Sequence, residues 1–80
     1  MAHLTERQAE VFEFIKEFRQ LHEISPTVKE IAKALHVTPN AIQENISRLH
    51  TKGAINKIPF AARSITPAKG FRYKIIVPVV

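Results

Sequence analysis

The sequence contains no cysteine, so neither a disulfide framework nor a thiolate metal site can hold it together. It has only two glycines, Gly53 and Gly70, which excludes a glycine-rich loop that cradles phosphate. Long hydrophobic runs are missing: the longest, Ile75 to Val80, is too short to span a bilayer. Residues Met1 to Arg7 lack the charged-then-apolar layout of a secretory leader, so the chain is expected in the cytoplasm with no membrane partner. Catalytic groupings are absent too. His3, His22, His36 and His50 are dispersed with no pair at ligand spacing, and Ser25, Ser47 and Ser64 lie in no nucleophile elbow. These absences predict a non-enzymatic protein without metal or cofactor.

Negative charge is scarce in one half only. Up to His36 the chain carries a net charge of −1; from Val37 onward Glu44 is the only acid, and that half carries +6 of a total of +5. Such a cationic half attracts a polyanion by long-range field and counterion release.

What is present fits one small domain over residues 1–80. Thr5 with Gln8 forms a capping box ahead of a helix at about 6–22, whose apolar positions Val11, Phe14, Ile15, Phe18 and Leu21 or His22 recur at helical spacing, with Phe12, Phe14 and Phe18 spaced for core packing rather than base stacking. Ser25-Pro26 interrupts the pattern, and Thr27 with Glu30 starts a second helix at about 28–36, with Val28, Ile31, Ala32 and Leu35 inward. Thr38 and Pro39 start a third at about 39–51, stopped by Gly53, with Ile42, Ile46 and Leu49 inward. The period then alternates: Ala54 to Ile58 and Phe71 to Val77 predict the two strands of a hairpin at about 54–77, separated by a long loop from Pro59 to Gly70. The expected fold is α+β: a three-helix bundle with a C-terminal β-hairpin wing, a winged helix-turn-helix.

Between the second and third helices, His36-Val37-Thr38 leaves room only for a tight turn, so the helices must cross steeply. A protruding helix with a small, amide-rich outer face is the shape that enters a DNA major groove. Asn40 and Gln43 carry amides suited to adenine, Glu44 can accept from a cytosine amino group, and Arg48 is placed for phosphate. Two readings stay open at this point. One is a regulator of double-stranded DNA; the other is a small phage or plasmid protein-interaction module that engages a host regulator or polymerase.

The segments Leu4 to Ile15, Ser25 to Ala32 and Pro39 to Glu44, with Leu49 and Lys52-Gly53, resemble the N-terminal DNA-binding domain of the LexA repressor family, over about Leu4 to Ile58. The resemblance implies a winged helix fold in a bacterial or phage repressor. It also implies a recognition helix whose opening residues read the operator, here Thr38, Asn40, Ala41, Gln43 and Glu44. Backbone contacts are then expected from Ser47, Arg48 and Lys52, and from Arg63, Lys69 and Arg72 in the wing. The sequence departs from the family at Gln43, where an acidic residue is usual, at His36, where glycine is common, and in a longer wing. The family's second half, which dimerises the repressor and cuts its own chain, has no counterpart in these residues, so self-cleavage is not carried over. A homodimer on a two-fold site would need another contact. The tail Ile75 to Val80 is the candidate, the alternative being a last strand that is buried and frays at its end.

Overall fold

The computed structural model describes residues 2–58 and 63–77, and each of its three helices starts on a threonine. In α1 (Glu6–His22), Thr5 Oγ1 accepts the Gln8 N–H at 3.2 Å while Gln8 Oε1 accepts the Thr5 N–H at 3.1 Å. In α2 (Val28–Leu35) the same reciprocal pair joins Thr27 and Glu30, at 3.1 and 2.8 Å. In α3 (Pro39–Thr51), Thr38 Oγ1 accepts the Ala41 N–H at 3.2 Å, and Pro39 takes the first helical position, where its missing N–H removes no hydrogen bond. Each cap contributes about 1 kcal/mol.

α2 and α3 also end alike. The N–H groups of Val37 and His36 donate to Ala32 O and Lys33 O at 3.0 and 3.4 Å, and those of Ala54 and Gly53 to Leu49 O and His50 O at 2.9 and 3.1 Å. This closure requires a left-handed residue after the helix, which Gly53 provides at φ 78. His36 provides it for α2 at φ 57 and ψ 42, which ends that helix at Leu35, one residue before the expected boundary. The tight turn that follows packs α3 against α2.

Ile42, Ile46 and Leu49 of α3 join Val11, Phe12 and Ile15 of α1 and Ile31 and Ala32 of α2 in one buried cluster, completed by Leu4, Ala9, Ala54, Ile55 and Ile65. On α1 the expected Val11, Phe12 and Ile15 are buried, but the rest of the expected face is not. Phe12 lies in the core, whereas Phe14 and Phe18 are half-buried, and Leu21 is 79% exposed because the helix buries nothing beyond Ile15. Its last turns run past the core, and there the rings of Phe14, Phe18 and His22 pack at a tilt along the flank, with centroids 5.8 and 4.4 Å apart.

The expected antiparallel hairpin is present, but its second strand is not the expected one. β2 (Ile55–Asn56) pairs antiparallel with β3 (Thr66–Pro67), Ile55 facing Pro67 and Asn56 facing Thr66, and Ala68 N–H extends the pairing to Ala54 O at 2.8 Å. The segment read as the second wing strand turns away at Gly70, and its β4 (Tyr73–Ile75) pairs in parallel with β1 (Ala2–Leu4). Aromatic contacts explain the choice. Phe71 and Tyr73 dock on Phe12 with ring centroids 5.4 and 5.5 Å away, and the Tyr73 hydroxyl donates to Glu13 Oε2 at 2.7 Å, which pins the strand to α1. Nor is the expected loop from Pro59 to Gly70 featureless, since Ile65 is buried and β3 lies within it. Residues 59–62 of that loop and 78–80 of the apolar tail lie outside the described residues. The described part of the tail is not a buried strand: Ile75, Ile76 and Val77 are all exposed.

Two consequences are measurable. Burial and the hydrogen bond to Glu13 push the Tyr73 phenol up to about 12 from an ordinary 10.0. Its contribution to stability is therefore complete below about pH 10 and lost as pH rises toward 12. Tyr73→Phe, which keeps the ring contacts, should lower stability by about 1 kcal/mol at neutral pH and flatten the alkaline branch of a thermal-melt pH series. His36→Gly should raise stability by up to about 1 kcal/mol and His36→Val lower it by about 1–2, since only glycine enters the left-handed region without steric penalty; denaturant titrations measure both.

Candidate nucleic-acid interface

α3 divides into two faces. Ile42, Ile46 and Leu49 are at most 2% exposed, while Asn40, Gln43, Glu44, Ser47, Arg48 and Thr51, at spacings of three and four residues, form a solvent-facing stripe. The helix folds this way because burying one apolar face is what holds so short a segment in place. Among the described residues, the side chains of Asn40, Gln43, Glu44 and Arg48 make no hydrogen bond or ion pair. Their donors and acceptors are open to a ligand.

The remaining expected base readers stand differently. Thr38 is exposed, but its oxygen already accepts the Ala41 N–H as the cap. Ala41 is half-buried, and its carbonyl accepts from Asn45 Nδ2 at 2.8 Å, so it offers only a methyl group. Asn45, a polar residue that sequence reasoning did not single out, is thereby turned back onto its own helix. Thr51 likewise donates to Ser47 O at 3.0 Å.

Two shallow grooves run along the stripe. Gln43, Glu44, Ser47 and Arg48 line the first. Ser47 and Arg48 continue into the second, with Thr51, Lys52, Thr5 and Gln8, which places the N-terminus of α1 beside the end of α3. Lys52 makes this junction: its Nζ donates to the His3 carbonyl at 2.6 Å and to Gln8 Oε1 at 2.8 Å. Both acceptors are neutral, so the Lys52 charge remains uncompensated in the groove. Thr5 and Gln8 were visible in the sequence only as a cap; their place in the groove depends on the fold.

The wing cations separate. Lys69 lies in another groove, with Lys16, Arg19, Phe12 and Phe71, away from the α3 stripe. Arg72 is exposed. Arg63, expected at a DNA backbone, is exposed but engaged within the protein: NH1 and NH2 donate to Glu30 Oε1 and Oε2 at 2.9 and 3.2 Å, and NH1 also donates to Ser25 O at 3.1 Å. The Arg63 hydrogen bonds, followed by the Thr27 N–H, hold the Glu30 carboxyl below its ordinary 4.5. A guanidinium held bidentately by a carboxylate has its charge compensated where it stands. Among the described residues no helix is long and apolar enough to cross a membrane, and no three His, Cys, Asp or Glu side chains cluster as a metal site.

Comparison with known proteins finds relatives over most of the chain. The LexA repressor of Thermosipho melanesiensis is 37% identical over 79 residues, covering 99% of this chain and 39% of that protein. That of Pseudomonas aeruginosa strain PAO1 is 46% identical over 66 residues, covering 81% and 32%, and that of Thermotoga maritima 36% over 75 residues, covering 94% and 38%. The chain thus spans between about a third and two fifths of the length of these curated relatives. The LexA DNA binding domain family matches residues 1–64, which takes in all three helices and the strand β2. Of the two readings left open by the residues, the match favours the regulator over the protein-interaction module. With three capped helices, the tight α2–α3 turn, a small antiparallel pair behind them and these matches, the chain belongs to the LexA DNA-binding domain family.

Proposed function

We propose that this chain is the DNA-reading module of a transcriptional repressor, binding double-stranded DNA sequence-specifically with α3 in the major groove. The observation that carries this reading is the contrast between the two faces of α3: an apolar face fixed in the core, and an outer stripe whose amide, carboxylate and guanidinium groups have no bonded partner among the described residues. A major groove about 12 Å wide admits such a helix. Asn40 and Gln43 each present the donor and acceptor pair that adenine matches, and Glu44 accepts from a cytosine amino group, the one partner that offsets its repulsion by phosphates. Thr38 and Ala41 supply methyl contacts at the helix start. Ser47, Arg48 and the uncompensated charge of Lys52 take the phosphate backbone, and Lys69 and Arg72 add attraction from outside α3.

The stripe from Asn40 to Thr51 is about 16 Å long at 1.5 Å per residue, which covers about five base pairs at 3.4 Å each. So few positions recur throughout a genome, and the proposed bound form is therefore two copies on a two-fold site. The exposed Ile75, Ile76 and Val77 are available for a contact between copies. The relatives' name, LexA repressor, supports repression; the proposal adds that it acts by occupying a promoter, in the cytoplasm where bacterial DNA lies.

Asn40→Ala should weaken binding to a cognate duplex by about 1–3 kcal/mol and leave a random duplex unaffected, whereas Arg48→Ala should weaken both alike and reduce the salt slope by about 0.9. Anisotropy titrations of the two duplexes at matched salt measure this. Equal losses on both duplexes for Asn40→Ala would remove α3 from base reading.

A further inference from the structure

At the base of the wing four segments meet on two residues. Ser25, 2% exposed, is clamped from both sides: Arg19 NH1 of α1 donates to its hydroxyl at 2.6 Å, and Arg63 NH1 donates to its carbonyl at 3.1 Å. Glu30 does two jobs at once. Its Oε1 accepts the Thr27 N–H at 2.8 Å, closing the α2 cap, while both its oxygens hold the Arg63 guanidinium, at 2.9 and 3.2 Å. Arg63 reaches them from a left-handed backbone, φ 53, a conformation that persists in a residue with a side chain only where its surroundings fix it. Ile65, two residues on, is buried in the core, and Thr66 opens β3. Arg63 therefore lies where the wing returns to the helices.

We infer that Glu30 and Arg63 form an internal latch, in which the carboxylate occupies the guanidinium as a phosphate would, so that Arg63 is a positioning residue for the wing and is withheld from the DNA backbone. Bidentate carboxylate and bidentate phosphate are alternative partners for the same fork of donors, and a guanidinium facing one cannot face the other. The contrast with Lys52 is chemical: its acceptors are neutral oxygens, so its charge stays available to DNA, whereas the charge of Arg63 is cancelled locally. A cation already neutralised within the protein releases no counterion on binding and adds nothing to the salt dependence. The latch also joins the segment that leads from Arg63 into β3 to the N-terminus of α2, which ties that segment to the helix-turn-helix.

This inference rests on the DNA-binding reading, and a salt series separates the two. Binding of the chain to a random-sequence duplex is followed by anisotropy over a range of salt concentrations, for the parent, Glu30→Gln, Arg63→Gln and the double variant. Glutamine can replace glutamate in a capping box, so α2 keeps its cap while the charge is lost. The expected result is that Arg63→Gln leaves the log–log salt slope unchanged. Glu30→Gln steepens it by about 0.9, roughly a threefold greater loss between 50 and 200 mM salt, and the double variant returns to the parent slope. A purely structural role for the pair would move affinity or stability without this pattern of slopes. The latch is overturned if Arg63→Gln flattens the parent slope by about 0.9, which would put Arg63 on phosphate already, or if Glu30→Gln binds with the parent slope. Should Glu30→Gln fail to fold by circular dichroism, the Arg63→Gln comparison decides alone. A parent chain that binds no duplex at any salt retires the DNA reading and the latch with it.

Discussion

The rest of the molecule depends on the burial of one face of α3. At 13 residues the helix is marginal by itself, and the burial of Ile42, Ile46 and Leu49, at roughly 1.5–3 kcal/mol each, holds it in place. Because α1 and α2 cover that face together, they also fix which side of α3 points outward. The threonine caps, the left-handed His36 and the short turn serve this end: they start and stop helices so that α3 packs against α2 with its polar stripe free. The outer surface is polar because packing does not require anything of it, and so it is free to carry recognition chemistry.

A second theme is that positive charge on this surface is not all of one kind. The basic half of the chain looks uniform as a sequence, but the fold sorts its cations by what they touch. Arg63 is cancelled by Glu30, and Lys52 is engaged by neutral oxygens and keeps its charge. Arg48 stands free on the stripe, and Lys69 sits on the flank of α1. Net charge sets attraction to a polyanion, yet which cations meet it is decided by these local partners. The sorting also distinguishes residues that hold the domain in shape from those placed to meet a ligand.

The helices were legible in the sequence because capping boxes and helical periodicity are local signals: Thr5 with Gln8, Thr27 with Glu30, and Thr38 with Pro39 each announce a helix without reference to the rest of the chain. The outward stripe of α3 was legible for the same reason, being the complement of Ile42, Ile46 and Leu49. What the sequence did not reveal was long-range pairing. Phe71 to Val77 alternates as a wing strand would, but it pairs with Ala2–Leu4, whose three residues are too short to carry a period. The decisive contacts, Tyr73 to Glu13 and the two rings on Phe12, span about 60 residues. The partner of Arg63 was hidden for a related reason. A basic residue in a long loop reads as free, and its capture by Glu30, 33 residues away, follows only from the packed structure. The resemblance to a known family implied candidate recognition positions but not which of them keep open donors.

The central claim is that the exposed stripe of α3 reads DNA sequence. It is tested most directly by selecting bound duplexes from a random pool with the unmodified chain, at several salt concentrations. The account predicts enrichment of a defined motif, arranged as two half-sites about one helical turn apart, with affinity that falls steeply as salt rises. Salt-sensitive retention of DNA with no enriched motif would mean that the charge binds and the stripe does not read, which would contradict it.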